Sequence, residues 1–339
     1  MTKYYEYNDI NFIDIEITNF CNASCGACDR NVDGGEVRQN LKLIHMTDDT
    51  WNSLISTVNL HNIKKITLDG NVGDASMHPN LINMLNKLAD VKPDMFLKVA
   101  TNGGARNIQF WKELSTVLKR FDDHQVTFAI DGLKDTNHIY RRNVNWEKLI
   151  ENVTAFNEDP QSISAWRCII FGHNKHQIND MLNLAQKLGF SSFRTERNRV
   201  TPITLQSYKK LPGGIITSPT RDEFIKRYKL YKQFKNIYNR TEIDEIYDKT
   251  YNCPFGQQRL VSMDVVGNIW PCCHIYSNYL NRYAAFPWDI WNDKNNINTK
   301  DLKQILQFIQ QTLYKDWKKN ENAICNTCSS RTNSAIRYN

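Results

Sequence analysis

Residues 12–28 read Phe12-Ile13-Asp14-Ile15-Glu16-Ile17-Thr18-Asn19-Phe20-Cys21-Asn22-Ala23-Ser24-Cys25-Gly26-Ala27-Cys28. From Ile13 to Ile17 apolar and acidic residues alternate with the period of a strand. The segment therefore predicts a short strand over 12–17 that delivers the cysteines to its C-terminal end. Open α/β folds build their sites at that end. The spacing Cys21-x3-Cys25-x2-Cys28 puts three thiolates on one loop, enough to ligate three irons of a [4Fe-4S] cube and leave the fourth iron open for chemistry. A closed zinc site wants four ligands, and this loop supplies three with no histidine inside it.

Beyond the loop, strand candidates at 65–69, 96–101, 125–131, 165–171 and 192–196 alternate with helices beginning near Thr47, Pro79, Asn107, Asn145 and His176. That alternation predicts α/β units around a parallel sheet. Thr47 followed by Asp48 and Asp49 reads as an N-cap with acids in the first turn, where the helix dipole favours them. Right-handed crossovers allow a partial barrel or a doubly wound sheet, and periodicity alone does not choose between them. From 201 to 250 the pattern weakens around Pro202, Leu211-Pro212-Gly213-Gly214 and Ser218-Pro219, a connector or lid. The expected division is a barrel at 1–200, this connector at 201–250, and a small cysteine-bearing domain at 251–339.

A chain of 339 residues can bury a large core. No apolar run reaches the length of a membrane span, and residues 1–7 carry no apolar signal region, so a cytoplasmic protein without a membrane partner is expected. Seven of the nine cysteines fall into metal-type spacings, which fits a reducing compartment. The net charge is +7, densest from Lys226 to Lys235. Phe224, Tyr228, Tyr231 and Tyr238 recur there at helical spacing, so an amphipathic helix with a solvated basic face is expected in place of a nucleic-acid surface. The eight histidines form no HxxxH or HxH pair, and no histidine metal site is expected. Cys168, between apolar neighbours, reads as core.

The stretch Thr18 to Arg30 is similar to the cluster loop of radical S-adenosylmethionine (SAM) enzymes, with Ala27 standing where a bulkier residue usually precedes the third cysteine. The resemblance implies a partial (β/α)6 barrel open on one side and a [4Fe-4S] cluster on Cys21, Cys25 and Cys28. It also implies reductive cleavage of SAM to a 5′-deoxyadenosyl radical that takes hydrogen from substrate, and a flavodoxin- or ferredoxin-type electron donor. Gly73-Asp74 resembles the end of the family's Gly-Gly-Glu motif, which contacts the SAM amine, with Val72 and Asp74 replacing the usual Gly and Glu. Asn102 in Thr101-Asn102-Gly103 and Asp131 in Ile130-Asp131-Gly132 place polar groups at the rim. Arg141 looks like the arginine that pairs with the SAM carboxylate, a task suited to a guanidinium fork. Arg142 beside it leaves that assignment open by one residue.

The run Cys253-x13-Gly267-x4-Cys272 resembles the opening of the SPASM/twitch domains appended to many such enzymes, and Cys325-x2-Cys328 supplies a second pair. Together the four imply a second, auxiliary [4Fe-4S] cluster of twitch type. Cys273 competes with Cys272, and the Gly-x4-Cys spacing favours Cys272. A four-sulfur zinc site would use the same ligands. No cysteine follows Cys328, so the second auxiliary cluster of a full SPASM domain lacks its ligands. By this resemblance the substrate is a peptide or protein side chain that undergoes oxidation, crosslinking or a related modification. The alternative is a small molecule, as for the twitch-bearing dehydrogenase of aminocyclitol biosynthesis; a non-catalytic iron-sulfur scaffold is the reading from another class. The stretch before the first strand is short, which is expected to leave no fused leader-peptide-binding domain.

Overall fold

The computed structural model describes residues 7–197, 259–276 and 294–318, apart from positions 33, 40, 58, 59 and 274. Six strands, β1 (Phe12–Ile15), β2 (Lys65–Leu68), β3 (Phe96–Thr101), β4 (Asp123–Ala129), β5 (Ser164–Ile170) and β6 (Ser192–Arg197), alternate with helices. These are α1 (Asp48–Thr57), α2 (Leu81–Val91), α3 (Ile108–Leu118), the single turn α4 (Asn137–Tyr140), α5 (Trp146–Asn157) and α6 (Ile178–Lys187). Two further strands, β7 (Leu260–Met263) and β8 (Ile269–Trp270), and the helix α7 (Leu302–Lys318) follow. Every strand expected before residue 200 is present. β4 starts at Asp123, ahead of the expected 125, because Asp123 and His124 join the ladder opposite Phe96 and Leu97 although neither is a strand former. The connector at 201–250 and the basic helix expected within it lie outside the described residues.

The sheet order is β6-β5-β4-β3-β2-β1-β7-β8. From β1 to β6 each strand lies parallel to its predecessor. A doubly wound sheet reverses its order at a switch point, and these six do not reverse, so the crossovers wind one way round as in a barrel. β7 then adds in parallel to the other edge of β1, from Phe12↔Leu260 to Ile15↔Met263, and β8 pairs with it antiparallel. A strand from beyond residue 250 thus belongs to the same sheet as the barrel.

Strand alternation sorts the two faces. Ile13, Ile15, Ile66, Leu97 and Val99 are fully buried with the helix stripe Leu81, Met84, Leu85 and Leu88 of α2, whose spacing makes one apolar face. Burying a leucine of this kind stabilises by about 1.5–3 kcal/mol. The other face is polar: Thr67 Oγ1 donates to Asp14 Oδ1 at 2.8 Å and Lys98 pairs with Asp69 at 2.8 Å. The helix starts carry side-chain caps, of which Thr47 is the expected one. Thr47 Oγ1 accepts from the Thr50 N–H, Asn107 from Phe110 and Asn145 from Lys148, each contributing about 1 kcal/mol. Among the described residues no helix is long and apolar enough to cross a membrane.

Candidate active site at the strand ends

β1 ends at Ile15, and the chain then turns through the cysteine loop. Backbone bonds shape the loop: Cys28 N–H donates to Cys25 O, Asn31 N–H to Cys28 O, and Ser24 N–H to Arg142 O. All three thiols are free, Cys25 buried and the others half-buried. Burial pushes the Cys28 thiol up to about 12, with Cys25 next to it adding repulsion. Burial likewise raises Cys21 and Cys25. Three thiolates can coexist here only beside compensating positive charge, which iron supplies, so the donor set fits a cluster held by three sulfurs. Among the described residues no three His, Cys, Asp or Glu side chains converge on a single ion position. Ligands to three separate irons of a cube need not do so.

Two polar relays reach these sulfurs from the strand ends. Asn102, just past β3, directs Nδ2 toward Cys21 Sγ at 3.6 Å and to Asn22 Oδ1 at 2.9 Å. The same amide donates to Asp74 Oδ2 at 2.7 Å, as does its own backbone N–H. Asp74 Oδ1 meanwhile accepts from Ser76 N–H, Ser76 Oγ and Thr101 Oγ1. An ionised carboxylate offers about four lone-pair sites, and here protein donors occupy them. Asp74, expected from the motif to meet the SAM amine directly, therefore has its oxygens committed to holding Asn102, Thr101 and Ser76.

The second relay runs through α4. Arg141 Nε pairs with Asp131 Oδ2 at 2.6 Å, and Nη1 approaches Cys25 Sγ at 3.6 Å. Asp131 is wholly buried and also accepts from the Ile169 N–H at 2.6 Å, while its backbone N–H donates to Asn137 Oδ1 at 2.8 Å. Arg142 points elsewhere, donating to Gly34 O. Of the two adjacent arginines, the one whose side chain reaches a cysteine sulfur is Arg141.

One site residue escaped the sequence reading. Glu16 follows β1, is buried, and its Oε1 accepts the N–H groups of Val72 and Gly73, both at 2.8 Å. Burial pushes this carboxyl up to about 8, with the two backbone donors opposing. The side chain of Tyr276 lies against the same carboxyl. Gly73 is fixed sterically as well, since a Cβ there would stand 1.6 Å from Thr18 O. Glu16 carries the same strand alternation as Asp14, and only its contact with a loop 56 residues away separates the two roles.

Of the second cysteine group, Cys272 is buried, with the Ile275 N–H directed at its sulfur at 3.5 Å, and Cys273 is half-buried. Cys253, Cys325 and Cys328 lie outside the described residues. Cys168 is buried in the core beside Met181.

The radical SAM superfamily pattern matches residues 15–185, half of the chain. No curated protein matches the sequence. Among solved structures, Streptococcus suis SuiB bound to S-adenosylmethionine is similar at 15% identity and TM-score 0.57, over 94% of this chain and 70% of that one. SuiB bound to its precursor peptide SuiA gives 14% and 0.54, over 87% of this chain and 64% of that one. Against a further crystal structure of Streptococcus suis SuiB the chain spans 65% of that protein's length. Polyhistidine-tagged anSMEcpe with bound AdoMet gives 14% and 0.54, over 94% and 85%. At these identities the structural matches speak to the fold alone, a partial barrel of radical SAM type. With its cysteine loop at the end of β1, its winding and the match over 15–185, this chain belongs to the radical SAM superfamily, enzymes that use S-adenosylmethionine and a [4Fe-4S] cluster.

Proposed function

We propose that this enzyme removes a hydrogen atom from a peptide or protein side chain and so modifies it by oxidation, crosslinking or a related change. Cys21, Cys25 and Cys28 would hold the [4Fe-4S] cluster, which when bound and reduced would supply the electron for cleavage of SAM to methionine and a 5′-deoxyadenosyl radical. The observation that carries this reading is the pair of relays, Asp74–Asn102–Cys21 and Asp131–Arg141–Cys25, which bring two fixed polar groups to two of the three sulfurs.

Each residue then has a task. Arg141, with Nη1 beside Cys25 and Nε anchored by Asp131, offers its fork to the carboxylate of SAM. Asn102 offers its amide to the polar part of the same cosubstrate, and Asp74 acts through it by fixing that amide's orientation. Gly73, with no side chain, lets the β2 loop close against Thr18 O at the start of the cysteine loop, and Glu16 holds the same loop through the glycine N–H. Asp131 keeps Arg141 from swinging into solvent. A peptide substrate is supported by the fold shared with SuiB, a protein solved with its precursor peptide.

Cys253, Cys272, Cys325 and Cys328 are proposed as ligands of an auxiliary [4Fe-4S] cluster in a C-terminal segment at 251–339 whose strand β7 extends the sheet of the barrel at 1–200, with a connector at 201–250 between them. A flavodoxin- or ferredoxin-type protein is the proposed electron donor. Anaerobic reconstitution followed by SAM and dithionite tests the reading. Formation of 5′-deoxyadenosine supports it, and intact SAM beside a fully loaded cluster would point to a scaffold. Deuterium transfer into 5′-deoxyadenosine from a deuterated peptide would then identify the side chain attacked.

A further inference from the structure

The β5–β6 face of the barrel carries an arrangement that the radical SAM motifs do not use. Arg167 and Arg194 are direct neighbours across the parallel ladder, and like charges so placed destabilise a sheet unless something compensates them. Glu196 is the compensating acid: it accepts from Arg167 Nη2 at 2.7 Å and pairs with Arg194 Nη2 at 3.4 Å. One carboxylate against two guanidiniums leaves a surplus positive charge. Lys65, on which Arg194 acts electrostatically, is itself balanced by Asp69 and Asp14, so the surplus rests on the arginine pair. Arg167 also keeps its Nε buried without a hydrogen-bond partner, and a buried donor left unpaired is costly.

The position is as telling as the charge. Thr101 pairs with Phe128, and Ala129 with Arg167, which pairs with Arg194. Asn102, Ala129, Arg167 and Arg194 therefore form one register row across the sheet, running from the residue after β3 to the middle of β5 and β6. Arg167 lies two strands from Asn102, about 10 Å at the usual strand spacing, and the small Ala129 between them leaves the row open. Arg194 is 54% exposed at the side chain and Arg167 32%, so the pair is accessible.

We propose that Arg167 and Arg194 form a carboxylate-binding subsite for the substrate, with Glu196 occupying it as an internal anion when no substrate is bound. The occupant is a carboxylate-bearing group such as an acidic side chain, recognised by the two guanidinium forks. This deepens the reading above and rests on it, because it assumes that substrate enters beside SAM at the level of Asn102.

The test uses the reconstituted, SAM-loaded enzyme and two probes of equal shape, the N-methylamides of N-acetyl-L-glutamate and of N-acetyl-L-glutamine, which differ only in the side-chain carboxylate, titrated calorimetrically. The acid should bind about tenfold or more tightly than the amide, the size of a charge-assisted hydrogen bond. Arg194→Gln should erase that preference and Arg194→Lys restore part of it. Glu196→Gln should strengthen binding of the acid, because the competing internal anion is gone. A purely structural ion pair predicts the opposite or no change, and either result overturns the subsite. Equal binding of both probes to the wild type also overturns it. A loss of SAM affinity in Arg194→Gln would assign the carboxylate to the cosubstrate instead and overturn the substrate subsite. Absence of SAM cleavage in the wild type would defeat the proposed reaction, a readout separate from the probe preference.

Discussion

Glu16 holds Gly73 by a 2.8 Å hydrogen bond from the glycine N–H to Oε1, and the same oxygen takes the Val72 N–H. The acid after β1 and the glycine of the β2 loop thereby join the two segments that flank the cysteine loop. No side chain fits at position 73, with Thr18 O where a Cβ would be.

This contact has a pH signature. Burial raises the Glu16 carboxyl from an ordinary 4.5 to about 8, so between those values the folded protein holds a proton that the unfolded chain releases. The stability contributed is full below the unfolded value and falls as pH rises through the folded one. Glu16→Gln keeps an acceptor for both N–H groups and removes the titration. The melting temperature of wild type relative to this variant should therefore decline from about pH 5 to about pH 8.5, the range that the raised value defines. A gap that stays constant across that range would mean that Glu16 is ionised throughout.

Replacing Asp74 by Ala strips the acceptor from Ser76, Thr101 and Asn102 at once. An unpaired buried donor costs about 1–3 kcal/mol, so melting should fall by several degrees even after partial relaxation. With Asn102 no longer oriented, SAM affinity measured calorimetrically should drop by about tenfold or more. Iron content, held by the cysteines, should stay. Unchanged SAM affinity would reduce the Asp74 loop to a structural turn.

Arg141 and Arg142 should separate cleanly. Arg141→Gln leaves Asp131 buried without its cation, a loss of about 3–5 kcal/mol, and removes the proposed carboxylate fork, whereas Arg142 faces Gly34. SAM affinity should fall in Arg141→Gln, recover in part in Arg141→Lys, and remain near wild type in Arg142→Gln. Equal losses at both positions would mean that charge near the loop matters and geometry does not.

Reconstituted protein should carry about eight irons and eight sulfides, the content of two [4Fe-4S] clusters. Converting Cys21, Cys25 and Cys28 together to Ala should leave about half of that iron and no SAM cleavage. Converting Cys325 and Cys328 should remove the other half and stop product formation while SAM cleavage persists. Zinc in place of iron at the second group would reject the auxiliary cluster.

The cysteine spacing, the strand before it and the order of βα units were legible in the sequence because each is local. A period of two, a capping Thr47 and three thiols on one loop are written within a few residues. That β1 to β6 wind without reversal was not legible, since local periodicity is the same in a barrel and in a doubly wound sheet; the ladder from β1 to β6 decided it. Nor could the sequence say that β7 joins β1, that Arg141 and not Arg142 faces Cys25, or that Glu16 closes on Gly73. Those depend on which distant backbones the sheet brings together, and a hydrogen bond between residues far apart in the chain leaves no trace in the spacing of either.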